Sequence, residues 1–469
     1  MLNRRTLLRS TAAWSTGIAL SRMAHSLTAL APPTALRATG EPPFQLPVDF
    51  MGLGYEMSSV APIGLLSASN DRYVQLISQL GSRGVLRVGG IVADFTRYDP
   101  NGTAKADMHD TVITRKALEQ FGDFLRKIGW TAIWSVNFAQ GTVADAVTEA
   151  MAVYEVLGSS LQALEIGNEV ENYARGKTFR KAPYTYEQYR AEYTEWRAAI
   201  LKAVPNARFA APDTAGSVEW VESMAKDAHG DVQLLTTHYY RNGQKQGSAD
   251  QLMHADPKLL DKMVRLRAAA QRSGIPWRMC ETNSFSGGGL PGVSNTLLGA
   301  LWTLDFMAIL AKYGCSGVNM ETGVNQLGFV SSYSPIQDDG EANNTAGAPY
   351  YGMLAYAAAQ AGCTQSIALE MTAGEPDLTA YAFGNEGRVR SVVLVNRSSR
   401  SLDISTAPLR LGRARVLRLT ASTGNSTTGV QFGGASTDAR GRWSATTHEY
   451  LSRERIALPS MSAAAVRAA

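Results

Sequence analysis

The chain predicts an α/β fold, a (β/α)8 TIM barrel with a C-terminal all-β sandwich domain. Between about residues 48 and 362, brief apolar runs alternate with longer stretches of helical period, eight times over. Eight β-then-α units are what a closed parallel barrel requires. After Cys363 the helical period vanishes, and strand-like runs are separated by Gly, Asn, Ser and Pro turns, the texture of a sandwich. A doubly wound open sheet competes with the barrel, but no Gly-rich dinucleotide fingerprint follows the first strand, which counts against it.

The N-terminus reads as a leader. Asn3-Arg4-Arg5-Thr6-Leu7-Leu8-Arg9 precedes the moderately apolar stretch from Ala12 to Leu20, the layout of a bacterial twin-arginine export signal. The stretch is shorter than the ~20 apolar residues of a membrane span. Residues 1–36 are therefore expected to be a signal peptide, cut near Ala24 or between Ala29 and Ala35, leaving a periplasmic or secreted enzyme without a membrane anchor. Residues 48–362 form the expected barrel and 363–469 the expected sandwich. Residues 41–48 are placed to add a strand to the latter.

The eight expected strands are Phe50–Tyr55, Gly84–Gly89, Thr131–Asn137, Leu161–Ile166, Ala207–Ala211, Val232–Tyr239, Trp277–Cys280 and Gly317–Met320. Each is apolar on both sides of the alternation, as strands buried on both faces should be. Tyr189, Tyr193, Trp196 and Ile200 recur at spacings of four, three and four, one face of a helix that Pro205 ends. Val293–Ala311 is a second helix with Ser294 as its expected cap. In the C-terminal part, Gln365–Glu370, Asp377–Phe383, Arg388–Val395, Ala414–Leu419 and Ala457–Ala464 are strand-like.

Composition narrows function. The 469 residues are 45% hydrophobic and 18% charged, with a net charge of +4 and scattered Lys and Arg, so nucleic acid is not an expected partner. Three cysteines, Cys280, Cys315 and Cys363, sit in apolar surroundings and read as buried thiols rather than a disulfide framework. No metal-ligand spacing stands out. Neither a metal nor a cofactor is expected.

Barrel chemistry sits at the C-terminal strand ends, so polar groups that interrupt an apolar run there are candidates. Leu164-Glu165-Ile166-Gly167-Asn168-Glu169 ends the fourth strand. Trp277-Arg278-Met279-Cys280-Glu281-Thr282-Asn283 ends the seventh, before Gly287-Gly288-Gly289. Met320-Glu321 ends the eighth, and Glu321 competes with Glu281 for a second carboxylate role. Two carboxyl groups on different strand ends fit glycosidic cleavage, one protonating the leaving oxygen and the other attacking the anomeric carbon. His238-Tyr239-Tyr240 ends the sixth strand, where a tyrosine can hold the nucleophile ionised. Trp134 is a candidate for stacking on a sugar face or for the core.

At these residues the chain resembles the large clan of (β/α)8 retaining glycosidases, and more closely glycoside hydrolase family 79, the heparanase and β-glucuronidase family. The resemblance rests on Val85-Leu86-Arg87-Val88-Gly89-Gly90 with Asp94-Phe95, on Gly167-Asn168-Glu169, on His238-Tyr239-Tyr240 with Asn242-Gly243, and on Glu281-Thr282 with Gly287-Gly288-Gly289. It implies Glu169 as acid/base and Glu281 as nucleophile. It further implies Asn168 and Glu56 as hydroxyl ligands, Tyr239 as the nucleophile's partner, and Gly287, Gly288 and Tyr333 as the holders of a sugar carboxylate. The expected activity is removal of a terminal uronic acid from an oligosaccharide or glycoconjugate. Ser286 stands where heparanase-like members carry a tyrosine, and Ile91 replaces a polar residue. These departures keep open the same mechanism on a neutral sugar, and a barrel that binds carbohydrate without turnover is the third reading.

Overall fold

Continuous apolar runs become strands buried on both faces. The computed structural model describes residues 34–175, 178–228, 230–324, 327, 331–338, 344–372 and 374–469. Its barrel strands are β1 (Gly52–Glu56), β2 (Val85–Gly89), β3 (Thr131–Val136), β4 (Leu161–Ile166), β5 (Phe209–Thr214), β6 (Leu234–Gly243), β7 (Trp277–Ser286) and β8 (Val318–Glu321). They pair in parallel, in chain order, and close through Met320 opposite Leu53 and Glu321 opposite Gly54. Every residue of β1, β2, β5 and β8 is buried, which is why these runs carry no polar alternation.

Around the barrel lie α1 (Asp71–Leu80), α2 (Arg115–Ile128), α3 (Val143–Leu157), α4 (Tyr186–Ala203), α5 (Val218–Asp227), α6 (Pro257–Ser273), α7 (Leu297–Lys312) and α8 (Ala348–Gln360). In α4, Thr185 and Gln188 form a capping box, and Tyr189, Tyr193, Trp196 and Ile200 are all buried. The cap of α7 is Thr296, whose side chain accepts from the Gly299 N–H, and not Ser294. The Ser294 N–H donates to the Leu290 carbonyl while its hydroxyl accepts from the Leu290 N–H. That closed turn delays the helix.

Two antiparallel-rich sheets make up the β part. The larger runs Phe44–Gln45, Gln365–Ile367, Leu378–Asn385, Arg388–Asn396, Ser462–Ala468, Ala414–Thr420 and Gln431–Phe432, with Glu449–Tyr450 beside Ala414–Thr420. The smaller runs Leu369–Met371, Thr34–Ala38, Leu402–Ser405 and Arg455–Leu458. Leu36, Leu394, Ile404, Val416, Leu458 and Val466 share one apolar core between them. The expected runs 365–370 and 457–464 are each two strands, broken at Ala368 and at Pro459–Met461, and the halves serve different sheets. Asp305 of α7 ties the larger sheet to the barrel, accepting from Arg397 at 2.8 Å and from the Tyr381 hydroxyl at 2.8 Å. The expected leader lies outside the described residues except for its last three, which open strand Thr34–Ala38. All three cysteines are buried and unpaired. Among the described residues no helix is long and apolar enough to cross a membrane.

Candidate active site

Adjacent strand ends bring two strained residues together. Glu169 follows β4 with φ 51° and ψ 48°, and Asp213 in β5 has φ 54°. A left-handed non-glycine residue costs about 1–3 kcal/mol and persists only where its surroundings hold it. Here the Glu169 N–H donates to the Asp213 carbonyl at 2.8 Å.

Arg87, fully buried in β2, organises the floor. Its Nε donates to Glu165 Oε2 at 3.0 Å, Nη1 to Glu281 Oε2 at 2.8 Å, and Nη2 to Asn168 Oδ1 at 2.8 Å and to Asp213 Oδ2. A planar guanidinium with five donors suits four acceptors that a lysine would serve poorly. Burial acts to lower its pKa, but Asp213, Glu165 and Glu281 outweigh that and hold it well above the ordinary value. His238 in β6 joins the same network. Its Nε2 lies 2.8 Å from Asp213 Oδ1, and its Nδ1 lies 3.4 Å from Glu169 Oε1 and 3.8 Å from Glu281 Oε2. Burial opposes charge on the ring, yet Asp213 and Glu281 keep its pKa well above the ordinary value. That shift favours the protonated ring, whose Nδ1 lies toward both glutamates. Beneath it, burial and the Asp213 charge push Glu165 up to about 7 against Arg87. Burial would raise Asp213 too, but Arg87 and His238 hold it below the usual carboxylate range. Of this pair, Glu165 is the more readily protonated.

Both oxygens of Glu281 are occupied. Oε2 accepts from Arg87, and Oε1 accepts from the Tyr240 hydroxyl at 2.9 Å. Glu169 is the more exposed of the two, its side chain 24% exposed against 11% for Glu281. One ligand atom from each of Glu169, His238 and Glu281 lies within 4.8 Å of the others. These are three possible metal donors, beside which the Arg87 guanidinium already supplies positive charge. Glu165, Asp213 and Cys280 form a second such group, whose carboxylates Arg87 also holds.

The other expected residues divide. Asn168 is buried against Arg87. Glu56 ends β1, and its Oε2 accepts from the Val92 N–H at 2.9 Å. A methyl group on Gly90 would lie 2.1 Å from that oxygen, so the position admits only glycine. Gly287 and Gly288 follow β7 in left-handed conformations, φ 79° and 90°. The Gly288 carbonyl accepts from the Ser332 N–H at 2.6 Å, which brings the Tyr333 segment alongside. Tyr333 is buried and its ring stacks on Tyr240 at 6.3 Å. Tyr239 does not join the site. Its hydroxyl donates to Asp256 at 2.8 Å and its ring stacks on Phe306. Strand side chains alternate, so Tyr239 points outward between its inward neighbours His238 and Tyr240. Trp134 belongs to the core, donating to Glu149 at 2.7 Å.

Sequence reasoning gave Arg87, Asp213 and Glu165 no role, and the resemblance named Tyr239 rather than Tyr240 as the nucleophile's partner. One signal was available, since Arg87 and Glu165 are charges inside otherwise apolar strands, where an unpaired ion is too costly to persist.

The sequence matches no protein-family model. It is 26% identical to a β-glucuronidase from Aspergillus niger over 433 residues, which is 78% of this chain and 77% of that one. It is 25% identical to a β-glucuronidase from Neurospora crassa, over 68% of this chain and 66% of that one. Among solved structures, a 4-O-α-L-rhamnosyl-β-D-glucuronidase from Fusarium oxysporum superposes with a TM-score of 0.75 at 18% identity, over 92% of this chain and all of that one. A family 51 α-L-arabinofuranosidase from Bifidobacterium longum superposes with a TM-score of 0.67 at 14% identity, over 93% of this chain and all of that one. At these structural identities the likeness is one of fold.

Proposed function

We propose that this glycoside hydrolase belongs to family 79 and is a retaining, exo-acting β-glucuronidase with Glu281 as nucleophile and Glu169 as acid/base, a reading that its β-glucuronidase relatives support. The observation that carries the mechanism is the approach of Glu169 and Glu281, with an oxygen of one within 4.8 Å of an oxygen of the other. Retaining glycosidases hold their carboxyl groups ~5–5.5 Å apart, whereas inverting ones leave ~6.5–9.5 Å for a water. In the first step Glu169 gives its proton to the glycosidic oxygen, the C–O bond breaks, and Glu281 forms an ester with the anomeric carbon. In the second, water attacks that carbon and gives a proton to Glu169, and Glu281 leaves as a carboxylate. Arg87, His238 and Tyr240 stabilise the charge on Glu281 before attack and after departure.

Glu56 and Asn168 bind hydroxyls of the terminal sugar, and Gly287, Gly288 and Tyr333 hold its carboxylate. The β-glucuronidase relatives from Aspergillus niger and Neurospora crassa support that substrate. The testing experiment is hydrolysis of aryl β-glucuronide, glucoside, xyloside and galactoside side by side, with the first-formed anomer read by NMR. Selective release of β-glucuronic acid is expected. Inversion refutes the mechanism, and preference for a neutral sugar refutes the substrate. Glu281→Gln should fold and lose turnover. The neutral-sugar reading draws on Ser286, Ile91 and the Glu321 carboxyl on the strand beside Glu281. A barrel that only binds carbohydrate would bind without hydrolysing any of the four. We further propose export through the leader, with cleavage before Thr34, since strand Thr34–Ala38 pairs with Leu369–Met371 and with Ile404 and Ser405.

A further inference from the structure

Glu321 ends β8, between β7 and β1. It is 1% exposed, and neither of its carboxyl oxygens has a hydrogen-bond partner among the described residues. Room for the group comes from Gly54, where a Cβ would lie 2.5 Å from Glu321 Oε2. A buried ion without a partner is among the most costly arrangements in a protein. The cations that touch carboxyl groups here are spent elsewhere, Arg87 on Glu165, Asp213 and Glu281, and His238 on Asp213 and Glu169. The groups facing Glu321 are Glu281 of β7, Glu56 and Tyr55 of β1, Tyr240 and His238 of β6, and Arg87 of β2. Burial, then Glu281, then Glu56 push its pKa well above the usual carboxylate range, against Arg87 and His238.

The backbone at Glu321 is tied to the neighbouring loop. Asn283 Nδ2 donates to the Glu321 carbonyl at 2.9 Å and to the Tyr333 carbonyl at 3.2 Å. One side chain thus braces Glu321 to the segment that holds the sugar carboxylate in the proposed function. We propose that Glu321 meets the substrate as a neutral carboxylic acid and donates a hydrogen bond to the carboxylate of the terminal uronic acid. The inference rests on the uronide reading and adds to it a binding proton supplied by the enzyme. An ionised Glu321 would repel the sugar carboxylate, whereas a protonated one bonds it strongly as a charge-assisted donor. Glu321 is then a specificity-determining residue, indifferent to a sugar that carries a hydroxymethyl group in place of the carboxylate.

The test combines kinetics and infrared spectroscopy on the mature enzyme and on Glu321→Gln and Glu321→Ala. KM for an aryl β-glucuronide and for the matched β-glucoside is followed from acid to alkaline pH. In the wild type, KM for the glucuronide should rise about tenfold per pH unit once Glu321 loses its proton. In Glu321→Gln it should stay level, because the amide donates at every pH. Glu321→Ala should raise the glucuronide KM about 10- to 100-fold at acid pH, the cost of one hydrogen bond to a charged group. The wild-type-minus-Glu321→Gln infrared difference at neutral pH should show a protonated carboxyl band. A glucuronide KM that rises in parallel in the wild type and Glu321→Gln overturns the proposal, as does absence of the band. Wild-type preference for the glucoside with the band present overturns the uronide reading and the carboxylate partner with it, while the neutral acid stands.

Discussion

Adjacent tyrosines on β6 give a controlled experiment on the nucleophile. Tyr240 donates to Glu281 Oε1 at 2.9 Å, while Tyr239 donates to Asp256 at 2.8 Å on the other face of the strand. Tyr240→Phe removes a hydrogen bond to a charged acceptor, worth about 1.5–3 kcal/mol, or roughly 10- to 150-fold. In the proposed mechanism the loss falls hardest on breakdown of the glycosyl ester, because Glu281 regains its full charge there with only Arg87 and His238 to receive it. With an activated aryl glycoside, where ester formation is fast, kcat and KM should fall together and a pre-steady-state burst of aglycone should appear. Tyr239→Phe leaves Asp256 with Arg241 at 2.9 Å and with the Lys258 N–H at 3.0 Å, so its kcat should stay within about threefold of wild type. A Tyr239→Phe enzyme as slow as Tyr240→Phe, or a Tyr240→Phe enzyme without the coupled fall, refutes the reasoning.

Three further outcomes follow from the buried charges and one tight turn. Arg87→Met strands Glu165, Asp213 and Glu281 without their shared cation, and should cost about 3–5 kcal/mol in urea-denaturation stability. Burial lifts Glu149 from 4.5 to about 7. The folded state therefore keeps a proton that the unfolded chain releases, a contribution complete below pH 4.5 and lost as pH rises through about 7. Glu149→Gln keeps an acceptor for Trp134 and has no such dependence, so its stability relative to wild type should improve by about 3 kcal/mol across that window. Gly90→Ala sets a methyl 2.1 Å from Glu56 Oε2 at a residue with φ 67°. It should lower stability by about 1–2 kcal/mol and raise KM, read by thermal melting and steady-state kinetics.

The barrel was legible because parallel strands buried on both faces are continuous apolar runs, and Leu161–Ile166 has the expected bounds. Strand ends were less legible where polar residues continue a strand. Trp277–Cys280 extends to Ser286 because the Thr282 hydroxyl donates to the Tyr239 carbonyl at 2.6 Å and Asn283 donates to the Glu321 carbonyl. Satisfied polar groups of this kind look like loop in a sequence. The choice between Tyr239 and Tyr240 was hidden for a related reason. The pairing of β6 with β7 shifts register between Thr237 and His238, and a one-residue slip decides which side chain faces inward. Thr34–Ala38 was hidden because it lies where a leader's end was expected, and its partners at 369–371 and 404–405 are far along the chain.

Charge balance joins the two glutamates into one device. Arg87 and His238 serve Glu165, Asp213, Glu169 and Glu281 by direct contact, and two cations cannot neutralise four ionised carboxylates in a buried site. Protons offset the surplus most readily at Glu165, which burial and Asp213 push up to about 7, while Arg87 and His238 hold Asp213 below the usual carboxylate range. His238 Nδ1 lies 3.4 Å from Glu169 and 3.8 Å from Glu281, within reach of both. In the proposed mechanism Glu281 loses its charge on esterification, and His238 is left beside Glu169, which takes a proton from water in the second step. The same residue thereby switches its support between the two glutamates as the covalent bond forms and breaks. His238→Gln, which keeps a neutral donor near Glu169, should therefore slow ester hydrolysis more than ester formation. Single-turnover rates on an activated aryl glycoside measure the two steps separately, and an equal loss on both would sink this account.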